Sequence, residues 1–229
     1  MYFPKQLFGI ALALALSSGV AHAATLIDNT TQGFYNSGIG TALNGTNPAV
    51  DDNLVNTFLF PNNNSSPNDP TFANLTEPDL SAASGALGSW LTTPATPGGS
   101  WTGLQNIPGN WAVNSETAII YELDGGVSGL SNVIASLGVD NGIFVWLNGT
   151  FVGGGMAPGG AVPNEYSLNL GNLAAGQNFL QILREDHGGG TGYDILVTGD
   201  VNVIPLPAAG WLMIAAFGGF AVLRRRPAT

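Results

Sequence analysis

The sequence predicts an all-β protein, an antiparallel β-sandwich. Six or more short apolar runs follow one another in the second half of the chain, separated by turns rich in Gly, Asn and Asp. One turn, Asn148-Gly149, joins two residues that both tolerate positive φ, as a two-residue type I′ hairpin requires. No stretch before the last two dozen residues has a convincing amphipathic helical pattern, which disfavours sheet folds that carry helices.

Alternation of side chains justifies the strands in chain order. The first reads Glu-Thr-Ala-Ile-Ile-Tyr-Glu-Leu and is followed by a turn at 124–126. The last places Tyr193, Ile195 and Val197 on one face and polar residues on the other, which predicts an antiparallel strand with one wet face. The predicted strands are 116–123, 133–139, 143–147, 150–152, 166–170, 179–184 and 193–203.

The stretch 39–110 differs from the strand-rich half. It is rich in Asn, Pro, Gly, Ser and Thr and shows weak periodicity, so we expect mostly loops. Two short apolar pieces, 54–60 and 72–75, are candidates for edge strands.

The C-terminus has the three parts of a membrane-sorting tail. Pro205, Leu206, Pro207 and Ala208 precede an apolar run over 211–223, which ends at three basic residues, Arg224, Arg225 and Arg226. Arginines after an apolar run stay cytoplasmic by the positive-inside rule. A helix over 208–223 reaches about 24 Å, against about 30 Å of hydrocarbon, and so suits a temporary anchor. A buried core helix and a plain membrane anchor are the alternatives.

This tail resembles the PEP-CTERM sorting signals of Gram-negative bacteria, in the variant that reads Val-Pro-Leu-Pro-Ala. Here the motif reads Ile204-Pro205-Leu206-Pro207-Ala208, and the resemblance covers 204–226. It implies processing by an exosortase, a membrane-embedded cysteine peptidase or transpeptidase, and export linked to exopolysaccharide. Leu206 departs from the commonest form, which has Glu at that position.

The N-terminus has the pattern of a secretory signal peptide. Lys5 precedes an apolar stretch over 7–16, and Ala21-His22-Ala23 forms a small-residue cleavage site for signal peptidase. We therefore expect a signal peptide over 1–23, a sandwich domain over 24–203 and a sorting tail over 204–229. The protein is expected to be exported through the inner membrane, anchored there transiently, and then released to the cell surface or the extracellular space.

The predicted exported domain is strongly acidic. It keeps one basic residue, Arg184, against fifteen Asp and Glu, a formal net charge of −14. Such a charge repels nucleic acid, which excludes binding driven by phosphate contacts. It attracts divalent cations, although acidity that only maintains solubility is the alternative explanation. Because the chain has no cysteine, the domain must be held by its core or by bound ions.

The second half of the chain also resembles the galactose-binding-like jelly rolls of secreted bacterial modules. The similarity lies in three segments: the hairpin at 138–149, which ends in Trp-Leu-Asn-Gly, the turn and strand at 173–182, and the Gly-rich stretch at 190–194. The resemblance implies a jelly-roll fold. That family includes sugar-binding modules, appendages of hydrolases and adhesive domains, so it indicates fold more than activity.

Two sets of residues are candidates for ligand binding. Trp90 and Trp101 lie in polar loops and can stack on sugar rings, whereas Trp146 alternates within a strand and is expected in the core. The oxygen ligands that calcium prefers are offered by Asp51, Asp52, Asn53, Asp140, Asn141, Glu165 and Asp194. Acids that are merely solvated in loops are the alternative. The jelly-roll resemblance implies a structural calcium between an early loop and the last strand, which suits Asp51 or Asp52 with Asp194.

Catalytic chemistry has one candidate segment, Arg184-Glu185-Asp186-His187. Asp186 and His187 have the chemistry of a metal pair or of a base with its orienting group, but no nucleophile motif accompanies them. We favour an exposed strand end in which Arg184 pairs with a neighbouring acid. The predicted function is therefore an exported, non-catalytic protein of the cell surface or exopolysaccharide matrix, carbohydrate-binding or adhesive. The alternative is a small secreted hydrolase acting on extracellular polysaccharide.

Overall fold

Two antiparallel sheets make up the fold in a computed structural model that describes residues 23–43, 77–140, 142–156, 160–186 and 189–202. One sheet has four strands in the order β1-β10-β5-β8, and the other has six in the order β3-β2-β4-β9-β6-β7. A 3₁₀ turn, Ser81–Ala83, leads into a one-turn helix, Ser84–Leu87. The strands are β1 Ala23–Ile27, β2 Gln32–Gly40, β3 Gln105–Asn106, β4 Glu116–Asp124, β5 Leu130–Asp140, β6 Gly142–Leu147, β7 Thr150–Met156, β8 Tyr166–Leu173, β9 Gln177–Glu185 and β10 Gly192–Val201.

The predicted all-β architecture is confirmed. All seven predicted strands are present, each within a few residues of its expected bounds, as β4 to β10. The strands β1 and β2 were not predicted. Within 77–110 only the short turn, the one-turn helix and the two-residue β3 interrupt the loops, as expected. Among the described residues no helix has the length and apolar character needed to cross a bilayer; the predicted signal and tail helices lie outside those residues.

The main hydrophobic core lies between the two sheets. Side chains that alternate along β4, such as Ile119, Tyr121 and Leu123, pack with residues of the four-stranded sheet such as Val133 and Val197. Sheets pack in this way when each presents one apolar face. This contact makes the two sheets a sandwich.

The opposite face of the six-stranded sheet, here called the outer face, is also buried. Its residues Ala118, Ile120 and Leu183 form a second cluster with Leu87 and Trp90 of the segment 77–101. That segment therefore acts as a cover, which explains why β4 and β9 are buried on both faces although antiparallel sheets commonly leave one face wet.

The two ends of the described domain lie side by side. In β1 and β10, Ala23 pairs with Asp200. Just beyond β10, the Asn202 carboxamide accepts a hydrogen bond from the Ser131 hydroxyl at 2.9 Å and donates one to the Ser128 carbonyl at 3.2 Å. The first strand and the exit of the chain are thus fixed at one end of the sandwich.

The Asn148-Gly149 hairpin has the predicted geometry. The two residues have φ values of 50° and 77°, both positive, as a type I′ turn requires. The side-chain carbonyl oxygen of Asn148 accepts a hydrogen bond from the Phe179 N–H at 2.8 Å, and the Gly149 N–H donates one to Gln181 Oε1 at 2.8 Å. The turn is therefore held by β9 as well as by its own backbone.

Candidate functional site

Four aromatic rings form a continuous layer on the outer face, called the aromatic layer below. Trp101 stacks on Trp90 with ring centroids 5.8 Å apart and planes inclined by 28°. Trp90 meets Trp146 edge to face at 5.2 Å, and Trp146 packs against Phe151 at 5.3 Å. Offset and edge-to-face contacts at such distances are favourable beyond the area they bury. These contacts therefore hold the four rings in a rigid layer.

The polar groups of the layer are used to fix it in place. The Trp146 indole N–H donates to Glu77 Oε1 at 2.6 Å, and the Trp101 indole N–H donates to the Leu87 carbonyl at 2.9 Å. The Gln181 side chain, fully buried, donates to the Trp90 carbonyl at 2.7 Å and accepts from the hairpin. Core burial of Trp146 is confirmed at 0% exposure.

Trp90 does not have the exposure expected of a ligand-contacting residue. Its side chain is 2% exposed, because the 77–101 segment folds back onto the sheet and packs the indole between Trp101 and Trp146. The expectation that its loop leaves this ring open to a sugar is wrong. Trp101 is half-buried, and exposed Thr and Ser residues flank it in the loop 92–102. Sugar contact by Trp101 stays a prediction.

Arg184 lies in an aromatic cage rather than at an exposed strand end. It is 0% exposed, and its guanidinium carbon lies 4.3 Å from the Trp111 ring centroid, 4.7 Å from Tyr193 and 5.7 Å from Tyr35. Its Nε donates to the Thr117 hydroxyl at 3.1 Å, and Nη1 donates to the Pro108 carbonyl at 2.9 Å. The expected exposed position of Arg184 is wrong, because β9 is covered on both faces.

Burial shifts the ionisation of the groups in this cage. Desolvation lowers the pKa of the Arg184 guanidinium, and the surrounding Tyr rings partly oppose that change. Desolvation raises the pKa of Tyr121 to about 12 and that of Tyr193 well above its ordinary value. Arginine ionises far above neutral pH, so it remains the cation of the cage. The single basic residue of the predicted exported domain is thus buried inside the fold.

Carboxylates gather at the end of the sandwich where β9 and β5 finish, called the acidic end below. Glu185 and Asp186 are 0% exposed, and the Asn114 N–H donates to Asp186 Oδ2 at 2.6 Å. Desolvation, followed by the nearby Asp186 charge, raises the pKa of Asp140 to about 6. Burial also raises the pKa of Glu165, although its Oε2 accepts the Val139 N–H at 3.2 Å.

Two carboxyl groups lie across from each other on the outer face of this end. Thr117 pairs with Arg184, so one more step of the same register places Glu116 beside Glu185. The next partner of Glu185 is Gly142, where a Cβ would overlap the Glu185 carboxylate. This end therefore gathers several carboxyl groups, at the end of the strands opposite to the Ala23–Asp200 pair.

The predicted calcium ligands divide between described and undescribed parts of the chain. Asp51 and Asp52 lie outside the described residues. Asp194 is half-buried on β10, and its Oδ1 accepts a hydrogen bond from the Asn29 side chain at 2.6 Å. In the described ranges, no three Asp, Glu or His side chains are arranged to hold a metal ion. Calcium binding stays a prediction.

The processing residues divide between described and undescribed parts of the chain. The motif residues 205–208, the arginines 224–226 and Ala21 lie outside the described residues, as does His187. Ala23, the predicted last residue of the signal peptide, is the first residue of β1.

No family model and no curated protein matches the sequence.

Proposed function

We propose that this chain is an exported, non-catalytic protein of the cell surface or exopolysaccharide matrix, sorted by an exosortase-like enzyme. The main support is the C-terminal tail, in which a Pro-Leu-Pro-Ala motif, an apolar run and three arginines follow one another in that order. The N-terminus has the matching pattern of a secretory signal peptide. Apart from Ala23, the described strands from β1 to β10 fall within the predicted exported domain 24–203.

The test of sorting is the mass of the protein recovered outside the cell. We expect loss of residues 1–23 and of everything beyond about Pro207 to Gly210. Recovery in that fraction with Arg224, Arg225 and Arg226 still attached would contradict the proposed sorting.

The proposed ligand is carbohydrate, contacted by Trp101. A half-buried indole stacked on a second indole is held rigidly, so little side-chain entropy is lost when a sugar ring packs on it. Exposed hydroxyls of Thr and Ser in the same loop supply hydrogen-bonding groups. The Pro97 carbonyl accepts the Ser89 N–H, which fixes the base of this loop.

Retention on the host's exopolysaccharide tests this site. We expect the mature protein to be depleted from solution by the polysaccharide, and Trp101→Ala to weaken binding about tenfold, or about 1.4 kcal/mol. Leu104→Ala is the matched control, since Leu104 is a nearby apolar side chain with 54% exposure. Equal loss in both variants, or none in either, would count against Trp101 as the contact.

A secreted hydrolase is the weaker alternative. It would use Glu185, Asp186 and His187, but Glu185 and Asp186 are both 0% exposed. A general acid or base must come within hydrogen-bond reach of its substrate. Burial of these two carboxylates therefore favours the non-catalytic proposal. Release of reducing ends from the host polysaccharide, abolished by Asp186→Asn, would reverse that preference.

The finer fold assignment is a jelly roll of the galactose-binding-like type. Setting β2 and β3 aside, the remaining eight strands form two four-stranded sheets in the orders β1-β10-β5-β8 and β4-β9-β6-β7, and only the β6–β7 hairpin stays within one sheet. Two Greek keys wound into eight strands produce facing four-stranded sheets of this kind. This order supports the resemblance seen in the hairpin at 138–149.

A further inference from the structure

The loop that contains Trp101 lies in a stretch of chain without charge. From residue 80 to residue 115 the sequence has no Asp, Glu, Lys, Arg or His, although the predicted exported domain has a formal net charge of −14. The exposed polar side chains of this stretch are hydroxyls and amides. The loop 92–102, called the neutral loop below, therefore presents hydrogen-bonding groups but no ionic ones.

The predicted exported domain offers no exposed Lys or Arg to an acidic ligand. Between residues 24 and 223 the only such residue is Arg184, which is 0% exposed and enclosed by Trp111 and Tyr193 between the two sheets. Carboxylate, sulfate and phosphate groups are bound most strongly by exactly such cations. A polyanion therefore meets a negatively charged domain that has no accessible cation to pair with it, and is repelled.

Trp101 offers a ligand its ring and no hydrogen bond. The indole N–H already donates to the Leu87 carbonyl at 2.9 Å, and Trp90 stacks on one face of the ring. A ligand thus contacts the remaining part of the ring through apolar C–H groups. A hexopyranose supplies such groups on the face that carries its axial hydrogens, and this packing requires no charge on the sugar.

The residues on both sides of Trp101 are anchored to different elements. The Ser100 N–H donates to the Ala86 carbonyl at 2.8 Å, and the Thr102 N–H donates to the carbonyl of Tyr35 in β2 at 2.9 Å. The Ser100 and Thr102 side chains are exposed. Their hydroxyls therefore stand at fixed positions beside the ring, where they can pair with sugar hydroxyls at little cost in loop ordering.

We propose that the ligand of Trp101 is an uncharged glycan, a hexopyranose polymer without uronic acid, sulfate or phosphate groups. This inference rests on the proposed carbohydrate-binding function and names its substrate class. Stacking and hydrogen bonding between neutral groups depend little on ionic strength, because there is no charge pair for salt to screen. A glycan with free amino groups would instead bind the acids elsewhere on the domain and be released by salt.

The test uses the host's exopolysaccharide, from which anion exchange isolates the uncharged fraction. One part of this fraction is carboxymethylated and another hydroxyethylated, so that substituents of similar size differ in charge. Depletion of the protein recovered outside the cell is measured at a pH of about 8, where histidine is neutral. We expect the carboxymethylated form to bind at least about tenfold more weakly than the hydroxyethylated form at low salt. For the unmodified fraction, affinity should change less than about twofold between about 0.05 M and about 0.5 M salt.

The possible results separate this inference from the proposed function. Equal binding of the two derivatives, stronger binding of the acidic exopolysaccharide fraction, or release of the unmodified fraction by salt would overturn the uncharged ligand, and would leave Trp101 as a sugar contact. Absence of binding to both the uncharged and the acidic fraction would instead refute carbohydrate binding itself.

A lysine beside the ring tests whether the missing cation sets the ligand class. Gly103 closely follows Trp101, is exposed, and has open space around an added Cβ. Gly103→Lys should bind the carboxymethylated form about threefold more tightly than wild type at low salt, as an exposed ion pair allows. Gly103→Gln has no charge and should match wild type. Val201→Lys adds the same charge on the other sheet, where Val201 is 45% exposed, and controls for net charge. If Gly103→Lys binds no better than these two controls, the absence of a cation near Trp101 does not exclude acidic glycans.

Discussion

Replacing Gly149 by alanine separates two costs at the hairpin. The first is backbone strain, because φ at this position is 77°, where L-residues cost about 1–2 kcal/mol. The second is steric, because a Cβ would lie well under 3.0 Å from the carbonyl oxygen of Leu91 in the cover segment. Forcing such an overlap in a packed region costs about 1–3 kcal/mol. The free energy of unfolding should therefore fall by about 2–5 kcal/mol.

A second glycine isolates the first of these costs. Gly176 lies in the turn between β8 and β9 with φ of 83°, and a Cβ there would meet nothing within 4 Å. Gly176→Ala should cost only about 1–2 kcal/mol. At about 2–4 °C per kcal/mol for a domain of this size, thermal unfolding followed by circular dichroism resolves the two variants. Equal melting temperatures for Gly149→Ala and Gly176→Ala would refute the predicted contact between the hairpin and the cover segment.

Three other perturbations have defined outcomes. Arg184→Lys keeps the charge but loses the planar stacking and two hydrogen bonds, and should lower the urea midpoint by an equivalent of about 1–3 kcal/mol; an unchanged midpoint would contradict the cage. Because burial raises the pKa of Asp140 from 3.8 to about 6, the folded state holds a proton that the unfolded chain has lost, so stability falls as pH rises through that window. Asp140→Asn should flatten this fall in melting temperature with pH, whereas the exposed control Glu122→Gln should not. If the two variants have the same pH profile of melting temperature, Asp140 is not the cause of the fall. Millimolar calcium, but not magnesium, should raise the melting temperature, because a hundredfold excess over Kd adds about 2.7 kcal/mol to the free energy of unfolding. Asp51→Ala should remove this response, and equal effects of the two ions would mean that no specific site exists.

The strands β4 to β10 could be predicted because their information is local. Each has an apolar run bounded by turn residues, and Asn148-Gly149 fixes the register of one hairpin. β1 and β2 were missed because β1 offers only five residues and β2 mixes Gly, Asn and Ser with its aromatic residues. Their stability depends on pairing with β10 and β4, far along the chain.

The errors at Arg184 and Trp90 both have non-local causes. Arg184 lies on the face of β9 that meets the four-stranded sheet, where Trp111 and Tyr193 enclose its guanidinium. Trp90 is buried because the segment 77–101 packs on the outer face, and no periodic pattern in that segment predicts this position. Asp140 and Glu165 were predicted as calcium ligands and Asp186 as a catalytic candidate. Their proximity was not predicted, because it arises only when β5 and β9 end where β8 begins.

The pairing of Ala23 with Asp200 also makes the domain suitable for insertion into another protein. Partners in an antiparallel ladder have Cα atoms about 4.5–5.5 Å apart, so a linker of a few residues can join 202 to 23 without strain. Domains whose ends lie close together can be inserted into a surface loop of another protein. They can also be circularly permuted, so that the chain begins and ends at a different loop. The sandwich can therefore be displayed on an unrelated scaffold with its acidic end pointing away from the graft, with neither signal attached.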